Sequence, residues 1–154
     1  GYPVAGIAVR PGVVSDFGHD MRYFNTFGGN SVAMAAANAT LEVVQGENLI
    51  ENARKVGDIL LSGLRNLMQG DERIGDVRGT GLYLGIEMVK NRKTREPDSP
   101  LALALVNEMR RRRVLISATA ANANVLKIRP PLTFSADNAD QFLTELAGAL
   151  KTVR

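Results

Sequence analysis

The sequence contains no cysteine, which excludes disulfides and thiolate-based zinc sites. That usage fits a cytoplasmic protein, and no metal site is expected. No apolar run approaches the ~20 residues that a membrane-crossing helix requires, so no membrane partner is expected either. The first residues carry neither a basic lead nor a sustained apolar stretch, unlike a signal peptide. There is one histidine, His19, beside Asp20 in what reads as a polar loop over 18–23, a surface side chain rather than a catalyst. Charge is nearly balanced, 19 Lys and Arg against 16 Asp and Glu, and four of the arginines are consecutive at 110–113. Without an aromatic platform or a wider basic stripe, that run reads as a solvated helix end complementing the dipole, and nucleic acid is not an expected partner. An initiator methionine is also missing. Gly1-Tyr2-Pro3 leads straight into an apolar strand pattern, Val4–Val9, as expected of a piece of a longer protein.

What is present is an ordinary globular composition, 45% hydrophobic and 23% charged, in a chain long enough for one core of domain size. Val4–Val9 is apolar throughout, as in a strand covered on both faces. Pro11 suits the first turn of a short helix over 11–17. Residues 31–44 are small and apolar around most of a helix, a pattern for close packing on more than one partner. Leu49, Ala53, Val56, Leu60, Leu64 and Leu67 recur at threes and fours over 47–68. Gly57 and Gly63 interrupt this second helix, so packing must hold it. Period two takes over at 74–89, with Leu82, Leu84, Ile86 and Met88 on one face and a turn at 78–81. A charged loop at 91–99, a helix at 101–113, strands at 114–117 and 125–128 and a closing helix at 136–153 complete the reading. Pro130-Pro131 ends the second of those strands. The order predicts an α/β (α+β) fold, a small sheet of three or four short strands with helices on one face.

The stretch richest in chemistry is Tyr23-Phe24-Asn25-Thr26-Phe27-Gly28-Gly29-Asn30. Its glycines allow a tight turn with uncovered amides, Thr26 adds a hydroxyl, and a helix opens at Asn30 or Ser31. Such a turn can hold a phosphate or carboxylate, although a plain capped helix behind a glycine-rich loop looks the same.

Y-F-N-T-F-G-G-N-S-V-A-M-A-A-A at 23–37 resembles the block that follows the cofactor lysine in class III (ornithine- and GABA-type) pyridoxal-phosphate aminotransferases. I-G-D-V-R-G-T-G-L-Y-L-G-I-E at 74–87 and V-L-K-I-R-P-P-L at 125–132 continue the similarity in order. R-R-V-L-I-S-A at 112–118 is similar to the branch containing ethanolamine-phosphate phospho-lyases. The resemblance implies the small domain of a fold-type I enzyme, with a mostly antiparallel sheet. Residues 1–30 would be the tail of the large cofactor domain, 31–45 an interdomain helix and 46–154 the small C-terminal domain. The implied cofactor is pyridoxal 5'-phosphate, and the implied partners are an amino donor, a 2-oxo acid and a second copy of the parent in a homodimer.

By the same resemblance, Thr26, with Phe27 and Gly28 through their backbone, matches the turn that holds the cofactor phosphate of the opposite subunit. Arg129 matches the arginine that pairs with a substrate carboxylate, and a planar fork held at a strand end by two prolines suits that task. Arg78 also matches a family position, though its flanking glycines read as turn geometry. No catalytic lysine is expected within the chain. Lys55, Lys90, Lys93, Lys127 and Lys151 read as solvated, and the lysine that forms the imine would lie upstream of Gly1. The chain alone would then be inactive. Transamination is the first expectation, elimination of phosphate from a phosphorylated amino alcohol the second, and a non-catalytic interaction or dimerisation module the third.

Overall fold

The computed structural model describes residues 2–153; Gly1 and Arg154, which belong to the first and last segments read above, lie outside them. The chain divides into two compact units, Gly1–Glu47 and Asn48–Arg154, each described by itself.

In the first unit, Val4–Val9 forms no strand, and Ile7 is 87% exposed. A strand needs a neighbour to take its N–H and C=O groups, and none among the described residues pairs with this segment, so the expected double-covered strand is absent. The expected single helix at 11–17 is two pieces, a 3₁₀ turn Pro11–Val13 and then α1, Ser15–Asp20. His19 therefore sits in the last turn of a helix rather than in a loop. Helix α2, Ser31–Gly46, begins as expected with Asn30 as its cap, accepting from the Ala33 amide at 2.9 Å. Its buried member is Ala33; most of its other small apolar residues are exposed, so within this unit the expected packing on several partners is not seen.

The second unit carries the core. Helix α3, Leu49–Gly70, starts after Asn48, whose φ of 51° turns the chain. It buries Leu49, Val56, Leu60 and Leu64, the apolar period seen in the sequence. Strands β1, Ile74–Thr80, and β2, Tyr83–Asn91, form a hairpin whose register closes at Thr80↔Tyr83. The turn is thus Gly81-Leu82, with Gly81 at φ 52°, and Arg78 and Gly79 lie inside β1 instead of in the turn. The next segment is not simply a loop. It contains β3, Glu96–Pro97, paired with β2, and a half-buried Arg92.

Asp98 caps α4, Ser99–Arg111, by accepting from the Leu101 amide. Strand β4 is Ser117–Thr119, three residues later than the alternation suggested, and β5 is Val125–Ile128 as read. A capping box of Ser135 and Asn138 opens α5, Ala136–Thr152. The sheet is antiparallel in order β1-β2-β5-β4 with β3 added on β2, one strand more than expected. Leu84, Ile86, Met88, Leu126 and Ile128 pack with Leu60, Leu64, Leu105, Met109, Phe142 and Leu146 from the helices. On the opposite side, Arg78, Tyr83 and Lys127 alternate outward, leaving one sheet face open.

Two arginines fasten the helix ends. Arg73 donates to the Leu150 and Val153 carbonyls of α5, both at 2.6 Å, and Arg92 donates to the carbonyls of Met68, Asp71 and Ile74. Arg112 was expected in water. Instead it is half-buried, pairing with Glu108 at 3.0 Å and Glu145 at 3.3 Å. Hydrogen bonds from Arg73 hold the Asp71 carboxyl below its ordinary value of 3.8, against the opposing effect of burial. A depressed folded pKa means stability that is present above the unfolded value and lost as pH falls through the folded one. Thermal stability should therefore drop on acidification from about pH 4 downward, and Asp71→Asn should flatten that part of a melting-temperature profile. An unchanged profile in the variant would exclude the pair as a contributor.

Candidate functional site

The turn at Thr26–Gly29 is wired by two asparagines. The Asn25 Oδ1 accepts from the Phe27 and Gly28 amides at 3.2 and 3.1 Å, and Asn30 Nδ2 donates to the Phe27 carbonyl at 2.8 Å. The sequence suggested uncovered amides here, and this is corrected: Asn25 already occupies those of Phe27 and Gly28. The two adjacent amides converge on that one side-chain oxygen, as in an asparagine-stabilised turn. A Cβ on Gly28 would lie 3.0 Å from the Asn25 Cγ, so glycine permits this close approach. Thr26 lies exposed at the start of the turn. With those two amides held by Asn25, the exposed polar group left at the turn is the Thr26 hydroxyl. The motif does not single out Asn25, although Asn commonly bonds amides two and three residues on.

Arg129 belongs to the second unit. It follows β5 directly, with Pro130 biasing it toward extended backbone, and its side chain is exposed. Among the described residues no carboxylate lies within ion-pair distance of it. It opens on a groove of about 590 Å³ between the β4–β5 end of the sheet and the start of α5. Arg113, Lys127, Asn138 and Gln141 supply the other long polar side chains of this groove, and Ile128, Phe134 and Phe142 its apolar wall. Arg78 differs. It pairs with Asp76 at 2.7 Å and Glu87 at 2.9 Å, which neutralise it and raise its pKa. A smaller depression of about 420 Å³ runs across the open sheet face past Arg78, Tyr83 and Lys127.

Four of the five lysines are exposed, Lys55 and Lys90 being paired with Glu51 and Glu96. Lys127 is half-buried and lines both depressions. Among the described residues no cluster of His, Asp or Glu could hold a metal ion, and no helix is long and apolar enough to cross a membrane.

Residues 1–150 match the family model for Aminotransferase class-III. The chain belongs to the class III aminotransferases. Among curated class III relatives, ethanolamine-phosphate phospho-lyase homolog 1 of Caenorhabditis elegans is 43% identical over 147 residues, 95% of this chain and 32% of that protein. An alanine–glyoxylate aminotransferase 2-like protein of Drosophila melanogaster is 43% identical over 155 residues, 99% of this chain and 31% of its own length. A phospholyase from Arthrobacter, solved in complex with phosphoethanolamine, superposes with a TM-score of 0.87 at 37% identity over 94% of this chain and 34% of that one. An amine transaminase from an uncultivated Pseudomonas species, solved in the PLP-bound form, gives 0.80 at 33% identity over 90% and 31%. The chain thus spans about a third of these class III proteins.

Proposed function

We propose that this chain is the segment of a class III aminotransferase that follows the cofactor lysine, and that the intact protein moves an amino group between an amine or amino acid and a 2-oxo acid. The observation carrying this is the family match across residues 1–150, in a chain a third as long as its relatives. On this reading residues 1–30 end the cofactor domain, 31–45 link the domains and 46–154 form the small domain. Thr26 gives its hydroxyl to the phosphate of pyridoxal 5'-phosphate, and the amides of Phe27 and Gly28, which already converge on one acceptor oxygen, line the same turn. When bound, the cofactor supplies the electron sink for bond breaking at the substrate carbon. Arg129 orients the substrate by pairing with its anionic group. The intact protein is a homodimer in which Thr26 serves the neighbouring cofactor. Exposed Phe24 and Phe27, each above 80% accessible, favour burial against a second copy.

The test is direct. Purify the intact protein, measure bound pyridoxal phosphate, and follow amino transfer to a 2-oxo acid. Neither cofactor nor transfer would leave the interaction-module alternative standing. Thr26→Val in that protein should weaken cofactor retention roughly tenfold, as expected for loss of one hydrogen bond to a charged group, with substrate preference little altered. Dialysis followed by absorbance of the remaining cofactor reads this out.

A second reading is elimination of phosphate from a phosphorylated amino alcohol, favoured by the likeness to the C. elegans and Arthrobacter proteins. Release of inorganic phosphate without amination of the 2-oxo acid separates the two.

A further inference from the structure

Arg129 stands at the start of a segment that has little of its own to hold it. Residues 129–134, Arg-Pro-Pro-Leu-Thr-Phe, run from the end of β5 to the cap of α5, and four of them line the groove described above. Pro130 and Pro131 have no N–H, so neither can donate a hydrogen bond. Within the segment, the Phe134 amide donates to the Pro131 carbonyl at 3.0 Å. Apolar burial does little for its middle, since Pro131, Leu132 and Thr133 are all exposed.

The support comes from α3. Asn52, near the start of that helix, donates from Nδ2 to the Leu132 carbonyl at 2.8 Å and to the Phe134 carbonyl at 3.0 Å. Both N–H groups of the carboxamide are used, on a segment 80 and 82 residues further along the chain. Carbonyl groups only accept, so an acidic or apolar side chain of the same size could not take this place. Helix α3 is itself firmly seated. Leu49 and Val56, which flank Asn52, are buried, and Gly57 lies close against the Gly81 backbone. The clamp is therefore anchored in the core and not on another loop, yet Asn52 does not line the groove.

A bidentate arginine needs its fork held at a fixed angle to its ligand. An unclamped segment would have to be ordered each time a ligand bound, and that ordering would be subtracted from affinity. We propose that Asn52 is a positioning residue: by tying Leu132 and Phe134 to α3 it fixes the direction in which Arg129 enters the groove, and so sets the affinity for an anionic substrate. This rests on the reading of Arg129 given above and adds to it a residue on a different element.

The test compares Asn52→Asp with Asn52→Ala. Aspartate keeps the shape, replaces both donors with an acceptor, and does not weaken the N-terminal part of a helix. In the full chain without cofactor, Asn52→Asp should speed hydrogen exchange at the Phe134 amide about tenfold and move the Arg129 amide resonance, with exchange in β5 unchanged. In the intact protein it should raise the Michaelis constant for L-alanine or phosphoethanolamine, whichever is turned over, about five- to tenfold, as for loss of two neutral hydrogen bonds. Bound pyridoxal phosphate and kcat should stay within about twofold. Asn52→Ala should act in the same direction. Leu67→Ala, further along α3, removes core packing without touching the segment and should leave the constant within about twofold. In an Arg129→Ala background, Asn52→Asp should add less than about twofold. Additive losses, an unchanged Phe134 amide, or an equal rise in Leu67→Ala would overturn the proposal. Hydrogen exchange needs neither cofactor nor turnover, so failure of the clamp is seen separately from failure of the Arg129 reading, which unchanged kinetics in Arg129→Ala would reveal.

Discussion

Gly57→Ala should destabilise the second unit by about 2–3 kcal/mol, a large loss for a single methyl group. The added Cβ would lie 2.2 Å from the Gly81 carbonyl oxygen and 2.4 Å from its carbon. Both are backbone atoms in a two-residue turn, and that turn is constrained on its other side. Gly79, at φ 150°, has no room for a Cβ either, which would lie 2.3 Å from the Tyr83 carbonyl oxygen. Helix α3 would have to move away from the hairpin. The helix-propensity gain of roughly 1 kcal/mol for replacing glycine offsets only part of this. Gly63→Ala is the matched control. Its Cβ would meet Leu143 Cδ1 at 2.3 Å, but that is the end of a half-buried side chain that can rotate. It should fall within about 1 kcal/mol of the unsubstituted chain, since the same propensity gain applies. Urea unfolding with equal slopes compares the three chains. Equal midpoints for the two variants would refute the close approach of α3 to the Gly81 turn.

Arg129→Ala in the intact protein should raise the Michaelis constant for an anionic substrate roughly 10- to 100-fold while bound pyridoxal phosphate stays near stoichiometric. The range follows from about 1.5–3 kcal/mol for hydrogen bonds to a charged group and about 1.4 kcal/mol per decade. Arg129 lacks a carboxylate partner among the described residues, so truncating it strands no buried acid and removes only a ligand contact. Its support, the β5 ladder followed by Pro130-Pro131, does not depend on the side chain. Arg129→Lys should recover only part of the loss, because a point charge cannot make the bidentate fork. Unchanged kinetics in Arg129→Ala would remove this residue from the site. A loss of cofactor together with substrate affinity would mean that the arginine shapes the whole cleft.

The parts of the fold that were legible in the sequence are those whose cause is local. The three-four spacing of Leu60 and Leu64, the alternation of Leu84, Ile86 and Met88, and Pro130-Pro131 after Ile128 each carry their own instruction. Val4–Val9 misled because strand character depends on a neighbouring strand, and apolar composition cannot report whether one exists. In the sequence the turn falls too early, at Arg78–Gly81, because the glycines on both sides of Thr80 look alike. Only the pairing of Thr80 with Tyr83 separates the bent glycine from those in the ladder. The roles of Arg73, Arg92 and Arg112 were invisible for another reason, since their partners are carbonyls and acids up to 80 residues away. At the candidate site, Thr26 and Arg129 stood out within motifs. Lys127 and Arg113 did not, for only the fold brings them to the groove beside Arg129.

The two arginines that hold carbonyl groups at the ends of α3 and α5 have a consequence for cooperativity. Arg73 and Arg92 meet at Asp71, one through its carboxylate and the other through its carbonyl. The last turn of α5 and the segment leaving α3 are thereby tied to a single residue. Neither terminus can unravel alone without stranding a guanidinium that the other still needs, so the ends of two helices distant in sequence open together, as one local unfolding unit.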